Sequence, residues 1–185
     1  MTAMATSIHS ITADELFATP GLGRCELVRG EIVMMSPTGL EHGFLVNRLG
    51  GRLGAYVESK SLGVVFTGDP GFLIARAPDT VRATDVAFLR ADRLGPDLIK
   101  GFFEGAPDLA VEVVSLSDRM SEVLAKVQQW LDAGCAAVWV VDPGTRTVSV
   151  YQSHRSITVL TATDEIHGDE VVPGFPMPVA ELFRR

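Results

Sequence analysis

Cysteine is scarce in this chain, with only Cys25 and Cys135 among 185 residues. The two stand far apart, and neither has a second cysteine or a histidine at zinc-ligand spacing. A disulfide framework and a structural zinc site are thereby excluded, and both thiols are expected to be reduced and packed. Long apolar runs are missing as well. The longest stretch of hydrocarbon side chains is AAVWVV, residues 136 to 141, against the roughly 20 residues a transmembrane helix needs. The N-terminus, MTAMATSIHSITADELF, lacks the basic start and apolar stretch of a secretory signal, so the cytoplasm is the expected compartment, without a membrane partner. Positive charge is the third shortage: 16 Lys and Arg stand against 23 Asp and Glu, a net charge of −7. Coating a polyanion through bulk electrostatics needs clustered cations and is excluded. A local basic groove is not, nor is a site at which bound divalent cations supply the positive charge.

What is present suits an ordinary globular chain, 46% hydrophobic and 21% charged, and predicts one domain over residues 1–185 with a loose polar leader over 1–10. Thr12 and Glu15 in ITADELF have capping-box spacing and predict a short helix. CELVRGEIVMMS reads as a hairpin turning at Arg29 and Gly30. Leu45, Leu49, Leu53 and Tyr56 or Val57 recur at helical spacing and predict a helix over 39–59, although Gly43, Gly50, Gly51 and Gly54 weaken it unless close packing compensates. From residue 63 the segments GVVFTGD, GFLIAR, TDVAFLR and DLAVEVVS read as strands, with ADRLGPDLIKGFFEGAP a long connection that has room for a short helix. An amphipathic helix over 118–133, capped by Ser117 or Asp118, leads to the strand AAVWVVDP, apolar enough to be buried on both faces. RTVSVYQ, SITVLTA and DEVVPGF read as a meander, and VAELFRR as a closing helix. The fold class is α/β, a mixed sheet flanked by helices with additional hairpin and meander strands.

Two of these strands place acids where acids are costly. Alternation puts Asp85, Ala87 and Leu89 on one face of TDVAFLR, and Asp108, Ala110, Glu112 and Val114 on one face of DLAVEVVS. Two carboxylates brought together repel unless a cation or a proton intervenes. A hard divalent cation would satisfy both through oxygen ligands. The alternative is structural, with Asp85 at a strand end and Glu112 paired with Arg82 or Arg119. Lys126 bears on the choice through length. Glu112 lies about 10 Å back from a strand end near Ser115, at roughly 3.3 Å per residue. Lys126 lies about 12 Å beyond a helix start near Asp118, at roughly 1.5 Å per residue. If the helix folds back over the strand, the two come level; otherwise Lys126 pairs with Glu122 on the helix surface.

ELVRGEIVMMSPTGLEH, then TDVAFLR, then APDLAVEVVSLSDR with Lys126 and AGCAAVWVVDP downstream, resembles the Uma-type endonuclease family of the PD-(D/E)XK nuclease superfamily. The resemblance runs from about residue 24 to residue 152 and implies a restriction-endonuclease-like core, a Mg²⁺ cofactor for which Mn²⁺ substitutes, and hydrolysis of nucleic acid, DNA in the first instance. Carried onto matching positions, it makes Asp85 and Glu112 the metal-binding acids, with the main-chain carbonyl of Val113 as a further ligand. The superfamily lysine usually stands two residues after the second acid, where this chain has Val114; Lys126 holds the place to which this family moves it. Thr84 also departs from the pattern, standing where a proline usually precedes the motif aspartate. Glu41 and His42 match a Glu-His pair at the start of the first long helix, and Glu41 is a candidate further metal contact, although Thr38 and Glu41 equally have capping-box spacing. The rival reading, from a different class, is a non-cleaving nucleic-acid-binding or regulatory module that keeps the nuclease scaffold. A homodimer is the expected assembly, because two-fold oligomers are the commonest.

Overall fold

The computed structural model describes residues 10–95, 100–116 and 118–184. The leader, Ser10 apart, and Ser117 lie outside these residues, as does part of the long connection, 96–99. Along the chain the elements are α1 (Ala13–Ala18), β1 (Cys25–Val28), β2 (Glu31–Met34), α2 (Leu40–Ser59), β3 (Gly63–Thr67), β4 (Gly71–Ala75), β5 (Thr80–Ala83) and β6 (Val86–Arg90). A 3-10 turn (Ala91–Arg93), β7 (Phe103–Glu104), β8 (Leu109–Val113), α3 (Met120–Asp132), β9 (Ala137–Asp142), β10 (Thr147–Ser153), β11 (Ser156–Leu160), β12 (Glu165–His167), β13 (Pro176–Pro178) and α4 (Val179–Leu182) follow.

A six-stranded sheet, ordered β11-β10-β9-β8-β6-β3, is antiparallel except at β8-β9, and is therefore mixed. Period-2 alternation divides its side chains between two cores. On one face Val86, Phe88, Leu109, Val111, Val113, Trp139 and Val141 pack with Leu45, Leu49, Leu53 and Val57 of α2 and with the C-terminal segment. On the other, Ala87, Leu89, Ala110, Val138 and Val140 join Phe72 of β4 with Val123, Val127 and Trp130 of α3. The aromatic rings of Phe72 and Trp130, edge to face at 5.8 Å, belong to the same core as the small side chains of Ala87 and Ala110. β9 is buried on both faces, as its unbroken apolar run requires.

A second sheet, β2-β1-β5-β4-β7, carries α1 on a smaller core of Ala13, Leu16, Leu27, Leu73 and Val81. The capping box of α1 forms between Thr12 and Glu15. Arg29 and Gly30 both take positive φ, the geometry of a two-residue hairpin turn matched to strand twist. In α2, Gly50 is explained by packing: a Cβ there would meet Thr67 Cγ2 at 2.7 Å, whereas Gly43 and Gly51 face open space.

Several expectations need correction. DEVVPGF is not a strand; Val171 and Val172 both donate to the Gly168 carbonyl in a tight turn, and the flanking β12 and β13 pair instead. TVRA forms β5, an additional strand, and the described part of the long connection holds the 3-10 turn and β7. Helix α2 starts after Gly39 without a side-chain cap, so the Thr38–Glu41 capping box does not form. Helix α3 starts after Arg119, and Asp118 accepts from the Ser115 N–H at 2.8 Å rather than capping the helix. No described helix is long and apolar enough to cross a membrane. Both thiols are free, Cys135 buried and Cys25 half-buried.

Candidate active site

The pairing of β6 with β8 sets Val86 opposite Val111 and Ala87 opposite Ala110. One step further, the residue before β6 comes beside the residue after Val111, which brings Asp85 to Glu112. The Asp85 N–H donates to the Val111 carbonyl at 3.1 Å, and its carboxylate Oδ2 accepts from the Val113 N–H at 2.7 Å. Glu112 is buried, and each of its oxygens has a donor. Oε1 accepts from Trp130 Nε1 at 2.8 Å and Oε2 from Lys126 Nζ at 2.7 Å. Helix α3 thus folds back over β8 and brings Lys126 level with Glu112, although it begins later than the spacing predicts. Lys126 is not paired with Glu122; its second partner is Glu26 of β1, at 3.3 Å.

Glu26 ties the two sheets together. Besides Lys126 it binds the Arg82 guanidinium and accepts from the Ala83 N–H at 3.0 Å. Arg82 in turn donates to Gln129 of α3 at 2.6 Å. Arg82 therefore serves Glu26 rather than Glu112, and Asp108, on the same strand face as Glu112, is taken by Arg90 and Arg93. His42, in the first turn of α2, is buried with Nε2 3.2 Å from Asp85 Oδ1. Glu41 beside it is exposed and does not line the cleft.

These groups open into one cleft of about 580 Å³ between the β1–β2 hairpin with its following loop and the first turns of α3. Asp85, Glu112, Val113, Lys126, Glu26 and His42 all line it. Among the described residues its cationic side chains are Arg24, Arg82 and Lys126, against the carboxyl groups of Glu26, Asp69, Asp85, Glu112, Asp118 and Glu122. Each cation already has a carboxylate: Arg24 holds Asp69 through two nitrogens, Arg82 holds Glu26, and Lys126 holds Glu112 and Glu26.

The electrostatics follow from burial. Burial pushes the Glu112 carboxyl up to about 7, and the Asp85 charge adds to the rise against the opposing Lys126 ammonium. Burial acts to lower Lys126, but the Glu112 and Glu26 carboxylates outweigh it and hold the ammonium charged. His42 is likewise raised, burial being outweighed by its hydrogen bond to Asp85 and by the Asp85 charge.

The donor chemistry fits a hard divalent cation. Two carboxylates share a net-negative cleft, and a carboxylate oxygen that already accepts one hydrogen bond keeps a free lone pair. Among the described residues no three His, Cys, Asp or Glu side chains form a metal-binding group. Two carboxylates leave most of the coordination shell of such a cation to waters and substrate oxygens.

The family model for Uma2, described as "Putative restriction endonuclease", matches residues 13–180. The chain belongs to the Uma2 family. A solved structure described as "a putative nuclease belonging to DUF820", from Anabaena variabilis, superposes on this Uma2 chain with a TM-score of 0.80 at 20% identity. The match covers 94% of this chain and 97% of that one, and it supports the restriction-endonuclease-like α/β fold. No curated protein matches. In this Uma2 protein Glu26 contacts Lys126 and Trp130 contacts Glu112 in the candidate site, contacts that spacing alone does not reveal. Glu26 lies in the hairpin motif ELVRGE, and Trp130 stands one helical turn after Lys126 on α3, the only signal either leaves in the sequence.

Proposed function

We propose that this Uma2 protein is a metal-dependent endonuclease hydrolysing phosphodiester bonds, with DNA as substrate. The observation that carries the reading is the convergence of Asp85, just before β6, Glu112 of β8 and Lys126 of α3 into one cleft. Nuclease-family membership supports it.

Asp85, Glu112 and the main-chain carbonyl of Val113 would hold Mg²⁺ or Mn²⁺. Such an ion, when bound, lowers the pKa of its water and stabilises charge on the phosphate oxygens. The residues of the chain do the rest. The Trp130 N–H fixes one oxygen of Glu112, and the Val113 N–H fixes one oxygen of Asp85, so neither carboxylate is free to rotate. Lys126, held between Glu112 and Glu26, keeps its proton and presents positive charge where charge develops on the phosphate.

Cleavage of end-labelled DNA with Mg²⁺ or Mn²⁺, and none with EDTA, is the expected result. Glu112→Gln and Lys126→Ala should each lower the rate by about 100-fold or more, the scale of losing one preorganised electrostatic group. Undiminished cleavage in both folded variants would overturn the site. Metal-independent DNA binding without cleavage by the wild type would favour the non-cleaving module.

A further inference from the structure

His42 is buried at the cleft, and the proposed reaction gives it no role. It occupies the first turn of α2 at 8% exposure, while Glu41 beside it faces solvent. Its Nδ1 is buried with no hydrogen-bond partner among the described residues, and its Nε2 lies 3.2 Å from Asp85 Oδ1. Burying a polar nitrogen without a partner carries a desolvation cost. An aliphatic side chain of similar size would fill the position without that cost. What the imidazole adds is a ring nitrogen 3.2 Å from Asp85 Oδ1, an ion-pair contact when the ring is protonated.

The other oxygen of Asp85 accepts from the Val113 N–H at 2.7 Å. The carboxylate is therefore contacted at both ends, by a hydrogen bond from a strand N–H on Oδ2 and by the His42 ring of α2 on Oδ1. One hydrogen bond and one ion-pair contact, from different elements, constrain the carboxylate plane, and with it the direction in which the remaining lone pairs point. Hydrogen bonds to a ligating carboxylate orient it and tune its affinity in this way.

We infer that His42 is a positioning residue that orients Asp85 toward the divalent cation, so that helix α2 contributes to the metal site through His42 and not through Glu41. The inference rests on the metal-dependent reading above.

Calorimetric titration of Mn²⁺ into the full-length protein tests it without relying on cleavage. His42→Leu keeps the apolar packing and removes both ring nitrogens; it should preserve or raise Tm while weakening Mn²⁺ binding by about 10- to 100-fold. His42→Gln, whose amide can donate to the same oxygen, should recover most of the affinity. Glu41→Ala should leave Kd within about twofold. If the leucine protein does not fold, His42→Ala takes its place, with the same expected loss. A wild type that binds Mn²⁺ no better than a folded His42→Leu or His42→Ala protein overturns the role of His42 and leaves the metal-dependent reading standing. So does a loss confined to Glu41→Ala. A wild type that binds no Mn²⁺ overturns both.

Discussion

At the scale of single residues, the site is governed by what surrounds Glu112. A carboxylate in a strand otherwise made of Leu109, Ala110, Val111 and Val113 is tolerated because both of its oxygens have donors and one donor is charged. Removing that charge has a calculable direction. Lys126→Ala should lower stability by about 3 kcal/mol at pH 8, the scale of breaking a buried pair from one side. The penalty should shrink toward pH 5. With the ammonium gone, Glu112, already pushed up to about 7, takes a proton in the folded state while the unfolded state remains ionised above its ordinary value. The folded state then binds more protons, so stability of the variant rises as pH falls. Urea titrations at the two pH values check this, and a pH-independent penalty would contradict it. The two acids and Lys126 were legible in the sequence because strand alternation and helix rise are local rules. The contacts of His42 and Glu26 were not, since these residues reach Asp85 and Lys126 from 43 and 100 residues away in the chain, with no periodicity linking them; His42 stood out only through the resemblance.

At the scale of elements, α1 is fastened to the smaller sheet by one buried carboxylate. Asp79 accepts from the Ala13 N–H at 2.9 Å and from the Ala77 N–H at 3.3 Å, and these bonds hold its carboxyl below the usual range. Asp79→Ala should cost about 1–3 kcal/mol, the penalty for leaving the buried Ala13 N–H unsatisfied. The wild-type contribution is present above the ordinary carboxyl value near 4 and is lost as pH falls through the lower folded value. Denaturant midpoints at pH 7 and pH 3 should show the two proteins converging in acid. Elements with strong periodicity, α2 above all, were readable to within a residue or two. β5 was not, because TVRA is four residues long and runs without a turn residue into the segment that becomes β6. DEVVPGF has strand-like valines, but Pro173 lacks an N–H and a Cβ at Gly168 would meet the Val172 carbonyl oxygen at 2.0 Å, so the chain turns there.

At the scale of the whole molecule, a net charge of −7 and a cleft in which the described carboxyl groups outnumber the described cations set the order of events. With Arg24, Arg82 and Lys126 already paired, a phosphate backbone meets net negative potential until a divalent ion is present. Fluorescence anisotropy with labelled DNA should show binding in Ca²⁺ or Mn²⁺ and at least about tenfold weaker binding in EDTA, at equal ionic strength. Equal affinity with and without the ion would mean that the polyanion binds elsewhere. The mixed sheet with helices on its faces follows from the alternation of periods along the chain. The second sheet does not, because its β1–β5 and β4–β7 pairings join segments whose sequences carry no register signal.

The most direct test of Asp85 and Glu112 as a metal site is a crystal soaked in Mn²⁺ and examined by anomalous scattering. A peak about 2 Å from an oxygen of each carboxylate, with Lys126 within reach of the same site, is the predicted result. No peak there, with Lys126 still closed on Glu112 and Glu26 at saturating Mn²⁺, would contradict it and leave the cluster a structural ion-pair network.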